Sequence, residues 1–309
     1  MRILVTGGAG FIGSHVVDVF VGAGHDVTVV DNLATGSPVW VNPQARLDVA
    51  DLRSARLTDV FAAARPEVVV HLAAQAAVGR SVTDPVFDAS VNVLGGLNLL
   101  DCCRRFGVGR IIYSSSGGAG YGDTDVLPTP EEHPSRPASP YGITKVAMEY
   151  YVNAWSGIFG ISGISLRYAN IYGPRQNPQG EAGVVAIFVS RMLAGEPPVI
   201  NGDGEQTRDY VYVEDVAAAN LSALERPHVT GGINIGTGIE TTVNDLYARL
   251  RQAAGTAPAA VHGPARPGEQ RRSCLAAARA ADRLGWTPRV PLEEGLARTL
   301  DFFRKERRS

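Results

Sequence analysis

The sequence predicts an α/β protein: a doubly wound parallel sheet with a smaller mixed C-terminal region. Three observations predict it. Up to about residue 173, short runs rich in Val and Ile alternate strictly with longer amphipathic runs, and that alternation builds a parallel sheet with helices on both faces. The first apolar run ends in a glycine-rich turn, TGGAGFIGSH, which opens directly into a helical pattern. After Tyr172 the rhythm changes behind a Pro/Gly/polar loop, GPRQNPQGEAG.

Taken in order, RILVTG, DVTVVD, EVVVHLA, RIIYSSS and ISLRYAN read as buried parallel strands. Between them IGSHVVDVFVGAG, LTDVFAAAR, VNVLGGLNLLDCCRRFG and YGITKVAMEYYVNAWSGIFG read as helices. The later chain mixes a helix (VVAIFVSRMLAGE), a short strand (PPVING), a strand running into a helix (YVYVEDVAAANLSALE) and a strand (GGINIGTG). A further helix (TVNDLYARLRQAAG), the loop HGPARPGE and two closing helices complete it. The expected division is 1–173 for the large sheet and 174–309 for the smaller region, with some later segments returning to the sheet.

Composition removes several function classes. A formal net charge of −2 offers no general attraction to nucleic acid or to an anionic membrane. The basic end, FRKERRS, reads as the solvated tip of a last helix. Cys102, Cys103 and Cys274 have no disulfide or metal-site spacing, so the expectation is no metal and a reducing, cytoplasmic compartment. The chain opens at once with a strand pattern, without signal-peptide layout, and no apolar run is expected to reach membrane-spanning length.

Gly8, Gly10 and Gly13 satisfy G-x-G-x-x-G, and Gly7 adds a second frame. Such a turn lets backbone N–H groups, among them those of Phe11 and Ile12, face a pyrophosphate at a helix N-terminus. Asp31 ends the next strand, near the spacing of about 20 residues at which a carboxylate grips an adenosine ribose. Together these features are Rossmann-like. Asn32, Leu33 and Ala34 follow Asp31 with no cation for a 2′-phosphate, so NAD is expected over NADP. Asp51 and Leu52 stand where an adenine edge could be read, although Asp51 reads equally well as a loop aspartate. Leu72, Ala73, Ala74 and Gln75 end their strand with small residues beside which a cofactor can pass.

The reactive groups come from two places. Ser116 closes RIIYSSS at the ligand side of the sheet, and SPYGITK puts Tyr141 four residues ahead of Lys145 on one helical face. A free phenol titrates near about 10, and a neighbouring cation favours the phenolate. Ser116, Tyr141 and Lys145 are therefore the candidate catalytic group, with Lys145 expected to lower the phenol and proton transfer coupled to hydride transfer.

TGGAGFIG, Asp31, SSS and YGITK together resemble the extended short-chain dehydrogenase/reductase family. RYANIYGPRQ and TRDYVYVEDV narrow the resemblance to its nucleotide-sugar epimerases and dehydratases, and it runs over the whole chain. It implies a UDP-sugar 4-epimerase activity passing through a 4-keto sugar. Tyr141 would be the base on the sugar 4-hydroxyl, Lys145 would tune it and hold the cofactor ribose, and Ser116 would touch the 4-oxygen. Asn92, Ser114 and Tyr168 would stand on the cofactor side. Asn170, Arg208 and Arg266 would hold the diphosphate, with Val184, Glu269 and Ser273 also on the substrate side.

The sequence departs from the family pattern at Gly120, Ala76 and Glu269. The small Ser273 suggests room for N-acetylated sugars. The main alternative is a 4,6-dehydratase, whose relatives carry an Asp-Glu pair after the strand's Ser or Thr; here Gly117, Gly118 and Ala119 follow Ser116. A non-catalytic NAD sensor is the other. Relatives pair through two helices, so a homodimer is expected, although core packing is expected to account for most of Tyr150, Tyr151, Trp155 and Phe159.

Overall fold

The structure, a computed structural model, describes residues 1–179, 183–265 and 270–307. Five strands alternate with helices as the sequence predicts, and one more, β3, joins them: β1 (Arg2–Thr6), β2 (Asp26–Asp31), β3 (Arg46–Val49), β4 (Val68–His71), β5 (Arg110–Ser116) and β6 (Ser162–Tyr168). A seventh strand, Gly231–Ile235, returns from the C-terminal region and lies along β6. The order is Gly231–Ile235, β6, β5, β4, β1, β2, β3, every pair parallel. The chain builds outward from β1 to β3, then crosses back to β4 and builds the other way. The crevice above β1 and β4 is thus the switch point at which open α/β sheets bind ligands.

Alternation along each strand feeds two cores. Ile3 and Val5 face α1 (Phe11–Gly22) and α9 (Val213–Glu225), while Leu4 faces the opposite layer. That layer holds α2 (Arg56–Ala64), α5 (Gly95–Arg105) and α7 (Pro140–Phe159), with Phe61, Leu99, Leu100 and Met148 buried. The short helices α3 (Val78–Thr83), α4 (Pro85–Ala89) and α6 (Gly117–Tyr121) sit at the ligand end. A third core packs α8 (Val184–Leu193), α10 (Val243–Ala254) and α12 (Leu292–Glu306) around Tyr172 and Tyr212, with α11 (Ala278–Leu284) packed back on the sheet layer.

Several expectations need correction. β3 was not among the expected strands; RLDV is short and half charged, as suits an edge. The expected helix 91–107 is two pieces, a π-helical turn Ser90–Leu94 and then α5. With α4 they form a 21-residue apolar run, Pro85–Arg105, whose length and hydropathy match a spanning helix; its Leu99, Leu100, Cys102 and Cys103 are buried on the sheet, so it is a core helix. The aromatics of α7 are mostly outside the core: Tyr150, Tyr151 and Phe159 are 69%, 37% and 43% exposed, whereas Trp155 packs inward and donates to the Leu100 carbonyl at 3.1 Å.

Candidate active site

The glycine loop is held from below and behind. Gly7, at φ +72°, donates to the Val30 carbonyl at 2.9 Å, and Gly10 N donates to the Gly7 carbonyl at 3.0 Å. A Cβ at Gly7 would stand 2.7 Å from Ala73 N, and one at Gly13 only 2.0 Å from the Gly7 oxygen. Only glycine allows both approaches. Gly10 is the N-cap of α1 and offers no side chain to cap it, and the first turn carries no acid. The N–H groups of Phe11 and Ile12 therefore begin a helix with its positive end open, which fits a dinucleotide's pyrophosphate.

Asp31 is 8% exposed and clips this loop to the end of β2: Oδ2 accepts from Ala9 N at 3.0 Å and Oδ1 from Leu33 N at 2.8 Å. Asp51 sits beside it through Asn32, whose Nδ2 donates to Asp51 Oδ2 at 3.0 Å. Arg53 grips both carboxylate oxygens and holds Asp51 well below the usual carboxylate range. Leu52 is buried beside it. Across the crevice the loop after β4 touches the glycines: Leu72 N donates to the Thr6 carbonyl and Ala73 N to Thr6 Oγ1. Ala74 and Gln75 follow, Gln75 N donating to Asn92 Oδ1 at 2.8 Å.

β5 and α7 deliver the reactive group. Ser116 ends β5 and caps α6, its Oγ accepting from Ala119 N. Ser139 caps α7 by accepting from Gly142 N at 3.2 Å, and Pro140 at the first position fixes the entry, so Tyr141 stands on the first turn. Lys145, 3% exposed, lies one turn on; its Nζ donates to the Ser114 carbonyl at 2.7 Å and stands 5.9 Å from the Tyr141 ring centroid and 5.0 Å from that of Tyr113. Ser116, Tyr141 and Lys145 are brought together.

Their electrostatics correct one expectation. Burial pushes the Tyr141 phenol up to about 12; its hydrogen bond with Ser116 pulls it down, and the charge of Asp88 pushes it up. In the protein alone the phenol is thus raised, where a lowering was expected. Burial lowers Lys145 to about 8, against the upward pull of Asp88 and Glu149.

Other expected residues fall in different surroundings. Tyr168 is 4% exposed, with its hydroxyl held by Asn220 Nδ2 at 2.8 Å and by Ser114, so only its backbone can meet a ligand. Asn170 opens a short strand, Asn170–Tyr172, paired with Tyr210–Tyr212, and its N donates to the Asp209 carbonyl at 2.9 Å. Arg208 lies on the two-residue strand Thr207–Arg208. Ser273 N donates to the Thr207 carbonyl, and Ser273 Oγ stands 2.9 Å from where a Gly118 Cβ would be, so the Ser273 segment lies over the loop after Ser116. Val184, at the start of α8, packs against the C-terminal core. Arg266 and Glu269 lie outside the described residues.

Two buried carboxylates whose charge reaches Lys145 were missed. Glu149 is paired with Arg167 at 2.7 Å, and Arg167 Nη1 donates to Tyr121 behind the Ser116 loop. Asp88, fully buried, accepts from Gln75, Asn92 and Thr144. The one sequence signal for Asp88 is its place four residues before Asn92, on the same helical face.

Comparison with known proteins agrees with this geometry. Residues 3–236 match the family profile described as NAD dependent epimerase/dehydratase family. A UDP-glucose 4-epimerase of Mycolicibacterium smegmatis is 44% identical over 99% of each chain. The crystal structure of a UDP-glucose 4-epimerase with UDP-glucose from Thermotoga maritima superposes with a TM-score of 0.96 at 49% identity, covering 99% of both chains. That of a Thermus thermophilus UDP-glucose 4-epimerase complexed with NAD gives 0.94 at 45% identity, covering 98% of this chain and 99% of the other.

Proposed function

We propose that this chain, which belongs to the NAD dependent epimerase/dehydratase family, interconverts UDP-glucose and UDP-galactose through a 4-keto sugar. The observation that carries the reading is the meeting of Ser116, Tyr141 and Lys145 at the ligand ends of β5 and α7, beside an open helix N-terminus and a ribose-side Asp31. NAD, when bound, supplies the acceptor and donor of the C4 hydride and adds a positive charge to the site.

The protein's own groups do the rest. Tyr141 takes the 4-hydroxyl proton and returns it to the opposite configuration. Ser116 hydrogen-bonds both the phenol and the sugar 4-oxygen and steadies the proton between them. Lys145, anchored on the Ser114 carbonyl, offers its ammonium to the phenolate and to the cofactor ribose. Arg208 and Asn170, with Arg266, hold the diphosphate while the keto sugar turns; guanidinium forks suit that anion. Weak contacts at the sugar end permit the turn.

Dehydration is less well served. Gly117, Gly118 and Ala119 follow Ser116, and the two carboxylates whose charge reaches Lys145 are engaged elsewhere, Asp88 by Gln75, Asn92 and Thr144 and Glu149 by Arg167. Small Ser273 supports acceptance of N-acetylated sugars. The division at residue 173 is proposed as cofactor part and sugar-nucleotide part. A homodimer is proposed on Leu94, Ile143, Tyr150, Tyr151 and Ile158, large apolar side chains left open to solvent. Three buried thiols support a reducing, cytoplasmic setting.

The test is incubation with UDP-galactose, UDP-N-acetylgalactosamine and dTDP-glucose without added cofactor, followed by separation of the products. C4 interconversion of the UDP-sugars is expected; a product lighter by one water would overturn the reading. Tyr141→Phe should lower kcat by about a thousand-fold or more, at the upper end of what a positioned proton-transfer group supplies, with NAD still bound.

A further inference from the structure

Asp88 stands where no solvent reaches and where two walls of the site meet. Its Oδ1 accepts from Gln75 Nε2 at 2.8 Å and from Asn92 Nδ2 at 3.1 Å; its Oδ2 accepts from Thr144 Oγ1 at 2.9 Å. Gln75 belongs to the loop that touches the glycine turn. Thr144 belongs to the first turns of α7, between Tyr141 and Lys145. Asn92 ties the two further: its Oδ1 accepts Gln75 N, and its Nδ2 reaches the Gln75 carbonyl at 3.0 Å and Thr144 Oγ1 at 3.1 Å. Thr144 Oγ1 also lies 2.9 Å from the Tyr141 carbonyl, so the hydroxyl bonded to Asp88 touches the backbone of the catalytic residue.

All three partners of Asp88 are donors, the pattern a carboxylate satisfies and a neutral amide cannot. A buried acid is expensive to keep unless its hydrogen bonds are complete. The local helix geometry serves it: Asp88 lies two residues before the π-helical turn Ser90–Leu94 and Asn92 lies within it, a wider winding often found at functional sites.

We propose that Asp88 is a positioning residue for the reaction: its carboxylate locks the first turns of α7 to the cofactor-side loop, fixing Tyr141 and Lys145 against the sugar. The proposal rests on the reading of Tyr141 as the base. Its charge also acts through space. The titratable groups facing this region are Tyr141, Lys145 and Glu149 on α7, Tyr113 on β5 and His71 on β4. Asp88 opposes ionisation of Tyr141 and favours the ammonium of Lys145. Removing the charge eases loss of the proton from both, so both limbs of the pH–activity profile move to lower pH.

The test is Asp88→Asn and Thr144→Val, singly and together, in the intact protein. Asp88→Asn should lower kcat about ten- to a hundred-fold, the size of a broken charged buried contact, with KM for UDP-galactose little changed and both pH limbs shifted to acid. Thr144→Val, which keeps the charge, should lower kcat several-fold without moving the limbs, and the double variant should be no slower than Asp88→Asn. Amide exchange at 143–145 should quicken in both single variants, with or without cofactor. An unchanged kcat and pH profile in Asp88→Asn overturns the proposal, as does a loss with immobile limbs. If Asp88→Asn does not fold, full activity in Thr144→Val overturns it. A wild-type protein that epimerises no UDP-sugar defeats the parent reading instead, while the exchange result still reports on the Asp88 contact.

Discussion

The two walls of the crevice offer their ligands different materials. On the cofactor wall the contacts are backbone: the amides of the glycine turn, pinned by Gly7 N on Val30 and by Asp31 on Ala9, and pressed between β1 and the loop at Ala73. On the opposite wall Arg208 and Ser273 ride on short strands and loops stitched by solvent-facing pairs, Arg271 with Asp203 and Arg272 with Glu240. The first wall is made of groups that cannot move without unfolding the sheet. The second is made of side chains that can. The proposed cycle, in which NAD stays bound while the sugar turns, calls for a rigid cradle on one side and an adjustable one on the other.

The sharpest way to break this contrast is at Gly13. A Cβ there would stand 2.0 Å from the Gly7 oxygen, 2.7 Å from its carbonyl carbon and 2.8 Å from Gly8 Cα, all backbone. Gly13→Ala should cost about 3 kcal/mol or more in urea denaturation, with bound NAD lost on purification. Wild-type stability with retained NAD would show that the cradle yields.

A smaller effect sharpens the picture at the junction of the walls. The Lys145 pKa is depressed to about 8 from 10.5. Below pH 8 both folded and unfolded lysine are charged, and the folded state bears the cost of burying the ammonium. Between pH 8 and 10.5 the folded lysine is neutral while the unfolded one is still protonated, so stability rises with pH there, by at most about 3 kcal/mol. The stability of wild type relative to Lys145→Met should therefore climb between pH 7 and 10 in paired urea titrations. A flat difference would mean that Asp88 and Glu149 compensate the ammonium fully.

The smallest effect belongs to the adjustable wall. Arg271 and Asp203 are 57% and 58% exposed, and water and salt screen such a pair. Arg271→Ala should move the denaturation midpoint slightly at low salt and not at high salt. A large, salt-insensitive loss would place that strap with the rigid wall.

The sheet was readable because its central strands are buried on both faces and therefore appear as unbroken Val/Ile runs, as in VTVVD and EVVVH. β3 escaped because an edge strand needs only one apolar face, and RLDV carries two charges in four residues. The glycine cradle, Asp31, Ser116, Tyr141 and Lys145 were legible because local spacing puts them at strand ends and on one helical turn. The network of Asp88, Gln75 and Thr144 was not: its members lie on three elements, and only the folded chain brings them within hydrogen-bonding reach. The direction of the Tyr141 shift was misread for the same reason, since burial, its largest cause, is a property of the fold.

The return of Gly231–Ile235 to β6 has a consequence for how the molecule is made. A growing chain presents β6 with its outer edge bare, and those N–H and C=O groups of Ile164–Tyr168 that point away from β5 find their mates only after the ribosome has delivered α8, the short strands and α9. Until then the nascent protein carries an unshielded ribbon that can zip onto another copy. Chains released early, before Gly231, should aggregate rather than linger as half-sized folded products.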